Sequence, residues 1–144
     1  MMTPAPRRFE DIYEGEQASL RRVVRDTDVT AFVDLTGDNN VLHGDDEFAR
    51  AVGFRSRVVH GFLIANYIST LLGTLLPGSG TLWLSQDLEF VRSVHIGDEI
   101  TVAGKVKRIS RGTRTLAILT QVYNQRGELV INGTARVKVL ERKE

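Results

Sequence analysis

Val59-His60-Gly61-Phe62-Leu63-Ile64-Ala65-Asn66-Tyr67-Ile68-Ser69-Thr70-Leu71-Leu72-Gly73-Thr74-Leu75-Leu76 lies in the longest part of this 144-residue chain that has no Asp, Glu, Lys or Arg. The run predicts a helix of about 16–18 residues, roughly 25 Å long, stopped by Pro77-Gly78. A membrane span needs about 20 predominantly apolar residues, whereas this run carries His60, Asn66, Ser69, Thr70 and Thr74. It is therefore read as a buried helix. Phe62, Leu63, Ile64, Tyr67, Ile68, Leu71, Leu72 and Leu75 make it apolar nearly all round. Asn66, Ser69, Thr70 and Gly73 recur at i, i+3, i+4 and i+7 as a small, polar stripe. Such a helix belongs inside something, with the stripe facing a site or a subunit interface.

What surrounds it is written downstream. Leu82, Leu84, Leu88 and Phe90 alternate with Thr81, Ser85, Asp87 and Glu89. Ile100, Val102 and Val106 then alternate with charged and polar partners, followed by Leu116, Ile118 and Val122 and by Leu129, Ile131, Ala135, Val137 and Val139. This period of two predicts antiparallel strands with one buried face. Gly97-Asp98, Ser110-Arg111-Gly112 and Gln125-Arg126-Gly127 supply the turns. With a further strand at Gln17–Val24, the fold class is α+β: an antiparallel sheet, including a four-strand meander, wrapped around one long central helix. Its open edges favour dimerisation.

Upstream of the helix, Arg8–Gly15 reads as irregular. Asp28–Thr36 has helical character, with Asp26 or Asp28 as N-cap, an apolar side of Val29, Phe32, Val33 and Leu35, and Gly37 at the C-cap. Asp45 caps a second short helix over 46–51 that ends at Gly53. Between them, Thr36-Gly37-Asp38-Asn39-Asn40-Val41-Leu42-His43 is too rich in Gly, Asn and Asp for a helix or strand interior. It therefore holds a carboxylate, Asp38, and an imidazole, His43, on one loop. That is the minimum equipment for moving protons near neutral pH. His60-Gly61 adds the backbone N–H groups of a helix start, which suit a developing negative charge.

Composition narrows the partners. Nineteen Lys+Arg against eighteen Asp+Glu give a net charge of +1, so nothing electrostatic points to nucleic acid or an anionic membrane. The chain has no cysteine, which excludes thiol chemistry, thiolate metal sites and disulfides and fits a cytoplasmic protein. Met1–Arg8 lacks the apolar core of a signal peptide. The length suits one domain spanning 1–144.

The loop, the His60-Gly61 helix start and the Gln86…Phe90…Val94…Gly97-Asp98 series together resemble the MaoC-like family of hot-dog-fold hydratases and dehydratases, nearest the (R)-specific enoyl-CoA hydratases of polyhydroxyalkanoate and fatty-acid metabolism. The resemblance runs from about Phe9 to Leu140. It implies hydration of a trans-2-enoyl thioester, reversible as dehydration, with Asp38 and His43 binding one water and the Gly61 N–H facing the thioester oxygen. Asn40 corresponds to a residue that shapes the loop near the water, Ser69 to a helix serine that can hydrogen-bond within the site, and His60 to a position whose side chain packs and orients Gly61. No resident cofactor is implied, since the CoA thioester is the substrate, and a homodimer or higher homo-oligomer is the family expectation.

The chain departs from the family pattern at Val41 and Ser93, where proline is usual; both changes touch backbone rigidity, not reactive atoms. A metal site built from Asp38, His43 and His60 has no supporting ligand spacing. CoA contacts are open among Arg55, Arg57, Arg92 and several lysines, and His95 is read as a surface turn residue. The competing functions are dehydration on another carrier or an unusual acyl group, an acyl-CoA thioesterase on the same fold, and a non-catalytic acyl-CoA sensor or silent subunit. The Asp38…His43 loop argues against the thioesterase and the silent subunit.

Overall fold

A computed structural model describes residues 4–143 and confirms a sheet folded around a helix. Of the Met1–Arg8 stretch, Met1–Thr3 lie outside the described residues. The elements follow in the order of a 3-10 turn at Phe9–Asp11, β1 (Gln17–Val23), α1 (Asp26–Thr36), α2 (Val41–Gly44), α3 (Asp46–Ala51), α4 (Gly61–Thr74), β2 (Thr81–Gln86), β3 (Glu89–Phe90), β4 (Glu99–Ser110), β5 (Thr115–Tyr123) and β6 (Leu129–Val139). No helix among the described residues is long and apolar enough to cross a membrane.

All the sheet pairings are antiparallel, in the order β1-β4-β5-β6-β2, with β3 also on β6. The expected four-strand meander is thus a three-strand one, β4-β5-β6. The β2 strand crosses to the far side of β6 and forms a sheet edge. Its alternation therefore does not mark a buried face: Leu82, Trp83 and Leu84 are all exposed. At the start of β6 the pairing shifts register, so that Val122 faces Ile131 but Tyr123 faces Leu129. The Val130 left between them is buried and turns its carbonyl to the Val91 N–H at 2.8 Å, which holds the segment after β3 against the sheet.

Helix α4 packs against β1, β2 and β4. It is 14 residues long, shorter than expected, because Leu75 and Leu76 leave the helical path before Pro77. Leu63, Ile64, Ala65, Ile68, Leu71 and Leu72 are buried and join Ile100, Val102, Leu116, Ile118, Ala135 and Val137 of the sheet in one core. At Gly104 in β4 the helix comes so close that a Cβ would meet Leu71 Cδ2 at 2.9 Å. The apolar coat is not continuous, since Phe62 is 70% and Leu75 44% exposed.

The remaining helices cover the start of α4. Helix α1 begins at Asp26, two residues before the expected first residue, and Asp28 sits at its third position, accepting from the Arg25 N–H at 2.9 Å. Gly37 ends it in the left-handed region, φ 76°, as its position requires. Val29 is buried, but Leu35 is 83% exposed and does not belong to the apolar side. Asp45 caps α3 as expected, accepting from Glu47 and Phe48 N–H at 2.8 and 3.2 Å. Arg8–Gly15 is less irregular than its sequence suggests: Phe9 and Ile12 are buried around the 3-10 turn.

Candidate active site

The loop between α1 and α2 is built by its own short polar side chains. Thr36 Oγ1 donates to Phe32 O at 2.7 Å and accepts from Asp38 N–H at 3.2 Å. Asp38 Oδ1 accepts from Asn40 N–H at 3.4 Å, and Asn40 Oδ1 from Leu42 N–H at 3.1 Å. Asn40 is thus the N-cap of α2, which turns His43 toward the start of α4. His43 stands on this one-turn helix, not on loop.

Two carbonyls set the imidazoles. His43 Nδ1 is 2.6 Å from Val58 O. A carbonyl only accepts, so Nδ1 carries a proton, and in the neutral ring Nε2 keeps its lone pair. His60, buried at the N-cap of α4, places Nε2 2.9 Å from Asp38 O, so its Nε2–H donates and ties the α4 start to the Asp38 loop. The His43 and His60 rings stack with centroids 3.8 Å apart and 33° between planes, and Phe32 lies against His60 at 4.8 Å. His60 Nδ1 is buried without a partner.

Asp38, His43, His60 and Gly61 line one end of a cavity of about 490 Å3 whose other walls include Phe54, Val58, Phe62, Phe90, Val94, Val130 and Ile131. Asp38, His43 and His60 cluster together, Arg92 and Ser93 add further polar groups, and the rest of the lining is mostly apolar, the pattern of a site for a largely apolar ligand. Gly61 opens α4, and among the described residues no acceptor meets its N–H. Phe90 covers this glycine so closely that a Cβ would lie 2.7 Å from the ring.

One ligand atom from each of Asp38, His43 and His60 falls within 4.8 Å of the others. Coordination to a tetrahedral metal at 2.0–2.1 Å requires about 3.4 Å between ligand atoms, and His60 Nε2 already faces the Asp38 carbonyl, leaving only its buried Nδ1. A water hydrogen-bonded to two groups at about 2.8 Å each reaches about 4.6 Å across a tetrahedral angle, so the cluster has the spacing to share one.

Not every expected residue reaches the cavity. Ser69, half-buried two turns along α4, and Asn40, whose carboxamide is used as a cap, are absent from its lining. The small stripe of α4 is open at Asn66 and Gly73 and does not face the cavity. Among the arginines considered for CoA, Arg55 pairs with Asp98 at 3.0 Å and Arg57 with Asp26 at 2.5 Å, whereas Arg92, paired with Glu128 at 3.3 Å, lines the cavity.

His95 is the clearest correction: it is 5% exposed, not a surface residue. Burial, then the neighbouring Arg55 guanidinium, hold its pKa below the usual histidine value. Below it, burial pushes the Asp98 carboxyl up, but hydrogen bonds from Gln125, His95 N–H and Arg55 outweigh that and keep it below the usual carboxylate range. Phe54, Phe62 and Phe90 also line the cavity; the signal for Phe62 was its place directly after the His60-Gly61 pair.

A single antiparallel sheet folded around one helix, with an acid and an imidazole at that helix's N-terminus, defines a hot-dog-fold protein of the hydratase type. The chain belongs to the MaoC-like family: the MaoC like domain matches residues 10–126. It is 37% identical over 131 residues to the (R)-specific enoyl-CoA hydratase of Rhodospirillum rubrum, covering 91% of this chain and 90% of that protein. It is 37% identical over 138 residues to the 3-hydroxybutyryl-CoA dehydratase of Methylorubrum extorquens, covering 94% and 86%. The solved (R)-hydratase of A. caviae, described as involved in PHA biosynthesis, superposes with a TM-score of 0.87 at 35% identity, over 91% of this chain and 99% of that one. These relatives are hydratases and dehydratases, that is, hydro-lyases.

Proposed function

We propose that this protein is an (R)-specific enoyl-CoA hydratase, adding water across the 2,3 double bond of a trans-2-enoyl-CoA and running the reverse dehydration of the (R)-3-hydroxyacyl-CoA. The observation that carries this reading is the His43–Val58 hydrogen bond of 2.6 Å, which leaves His43 Nε2 as an acceptor on the same cavity end as the Asp38 carboxylate.

In this reading Asp38 and His43 Nε2 each accept one hydrogen of a single water, whose oxygen lone pair then faces C3. An O–H bond breaks as the O–C3 bond forms. The π pair moves through C2 onto the thioester oxygen, and C2 takes back a proton from the same pair, so the residues end as they began. The Gly61 N–H is the donor for the thioester oxygen at the moment its charge grows; one such donor is worth about 3 kcal/mol of barrier. His60 holds the Asp38 loop and the helix start together and touches no reacting atom. The apolar walls receive the acyl chain. No step requires a metal or a resident cofactor.

The oligomer and compartment belong to the same proposal. The β2 edge exposes Leu82, Trp83 and Leu84, and Phe62, Phe90 and Val91 are exposed beside the cavity. Pairing β2 with that of a second copy would cover this surface, which supports a homodimer. A chain without cysteine suits the cytoplasm.

The test follows loss of enoyl-thioester absorbance with crotonyl-CoA for wild type, Asp38→Asn and His43→Gln. Activity in wild type alone, with 3-hydroxybutyryl-CoA as product, is expected. Release of free thiol would favour a thioesterase, and inertness of wild type toward crotonyl-CoA and longer enoyl-CoAs would remove the hydratase reading.

A further inference from the structure

His95 has no place in that chemistry, yet it sits in a closed hydrogen-bond network. Nδ1 lies 3.1 Å from Arg57 O and 2.8 Å from Ser56 Oγ, Nε2 lies 3.1 Å from Ser93 Oγ, and the His95 N–H donates to Asp98 Oδ2 at 2.9 Å. Since Arg57 O only accepts, Nδ1 carries the proton and Nε2 accepts from the Ser93 hydroxyl. The ring therefore links the segment at 56–57 to the segment at 93.

What that link holds is the carbonyl behind His43. Residues 56–59 belong to no helix or strand; they are stitched in place by the antiparallel bridge Val58–His95 and by Val59 N–H to Val94 O at 2.8 Å. On the other side, Arg57 N–H donates to Asp46 Oδ1 at 2.9 Å and Val58 N–H to Leu42 O at 3.1 Å. Val58 O, the next acceptor along, takes the His43 Nδ1 proton. A shift of the 56–58 segment would lengthen a bond already at 2.6 Å and free the imidazole to turn or exchange tautomer.

We infer that His95 is a positioning residue, which by tying Arg57 O and Ser56 to Ser93 fixes the height of the Val58 carbonyl and so keeps His43 in the tautomer whose Nε2 faces the cavity. The inference rests on the reading of His43 as the water-binding base. It also explains Ser93. In the family pattern proline stands here and stiffens the backbone through φ; in this chain the Ser93 hydroxyl supplies a side-chain tie to the same neighbourhood. Burial and the Arg55 charge favour the neutral ring that this arrangement needs.

The experiment pairs 15N NMR of the imidazoles in substrate-free protein with steady-state kinetics on crotonyl-CoA, for wild type, His95→Ala, His95→Asn and Ser93→Ala. His95→Ala should lower kcat by about 10- to 100-fold, the scale of an ångström-level misplacement, while KM moves by less than about twofold. The His43 15N pattern should change from Nδ1-protonated alone to a mixture of tautomers. His95→Asn, whose amide can still donate to Arg57 O, should recover most of both, and Ser93→Ala should show the same changes on a smaller scale. An unchanged His43 pattern in His95→Ala would overturn the inference, whatever the rate; so would an unchanged kcat. If His95→Ala does not fold, Ser93→Ala gives the same reading, and an unchanged His43 pattern there overturns it. Wild type inert toward enoyl-CoAs would sink the proposed function alone, because the tautomer is read without substrate.

Discussion

Gly61→Ala isolates the part of the site that is geometry and not acid–base chemistry. A Cβ at this position would lie 2.7 Å from Phe90 Cε1, 2.9 Å from Cδ1 and 3.2 Å from Cζ, where ordinary contact begins at 3.4 Å. The ring must therefore retreat by about 0.7 Å at its nearest atom. It can, because Phe90 is half exposed and meets the glycine with the far end of its side chain. Turning it off its preferred rotamer costs about 0.5–1.5 kcal/mol. Against that, alanine is better than glycine inside a helix by about 0.8–1.0 kcal/mol, and by less at a first helical position. The two nearly cancel, so the thermal midpoint should move by only a few degrees.

The rate should not be spared. The new methyl group and the displaced Phe90 ring both take space from the cavity beside Gly61. A thioester oxygen held off this donor loses most of what the donor contributes, about 3 kcal/mol or on the order of 100-fold in kcat. The assay is crotonyl-CoA hydration alongside a calorimetric melt. A variant that melts like wild type and retains kcat within about threefold would refute the assignment of Gly61 as the donor. A second variant, Gly61→Ala with Phe90→Ala, separates the two effects: it should relieve the steric cost in the melt but leave the rate low.

Gly104→Ala should destabilise by about 1–3 kcal/mol, read by urea unfolding, since its Cβ would meet Leu71 Cδ2 at 2.9 Å between α4 and β4. Leu84→Asp, placing a charge on the exposed β2 edge, should lower the mass in light scattering from that of the proposed dimer to that of a monomer without unfolding the sheet; an unchanged mass would contradict the proposed edge-to-edge arrangement. Glu128, held to about 2 by hydrogen bonds from Arg126, then Asn124 and Arg92, should titrate there by carboxyl NMR. Because its folded pKa is depressed, its contribution to stability is present above about 4.3, the free value, and is lost as the pH falls toward 2. Asp98→Asn should likewise lower stability most above about pH 4 and cost little in strong acid, the sign expected for a carboxyl whose folded pKa lies below the free one.

How much of this was legible depended on whether a signal was local. Gly37, Asp45 and the period-two strands β4 and β5 are decisions made within a few residues, by φ, by a capping carboxylate and by alternation, and each stands in the structure where the sequence places it. Asp38 and His43 were legible for the same reason: one loop and one helical turn carry both. The misreadings share the opposite cause. Leu82 and Leu84 alternate like core residues because an edge strand awaiting a partner carries the same pattern as a buried one, and only the strand order separates them. Ser69 was given a place in the site by the family resemblance, but α4 reaches the cavity only with its first turn, through Gly61, Phe62 and Ile64. His95 is the sharpest case. Its neighbours at 56 and 57 lie nearly forty residues away in the chain, and no periodicity relates them. A turn histidine beside Gly97-Asp98 looks solvated until the 56–59 segment is laid across it. That crossing, which buries the ring, is also what brings the Val58 carbonyl to His43. Burial of His95 and orientation of His43 are therefore one tertiary event, and the residue least visible in the sequence is tied to the one most visible.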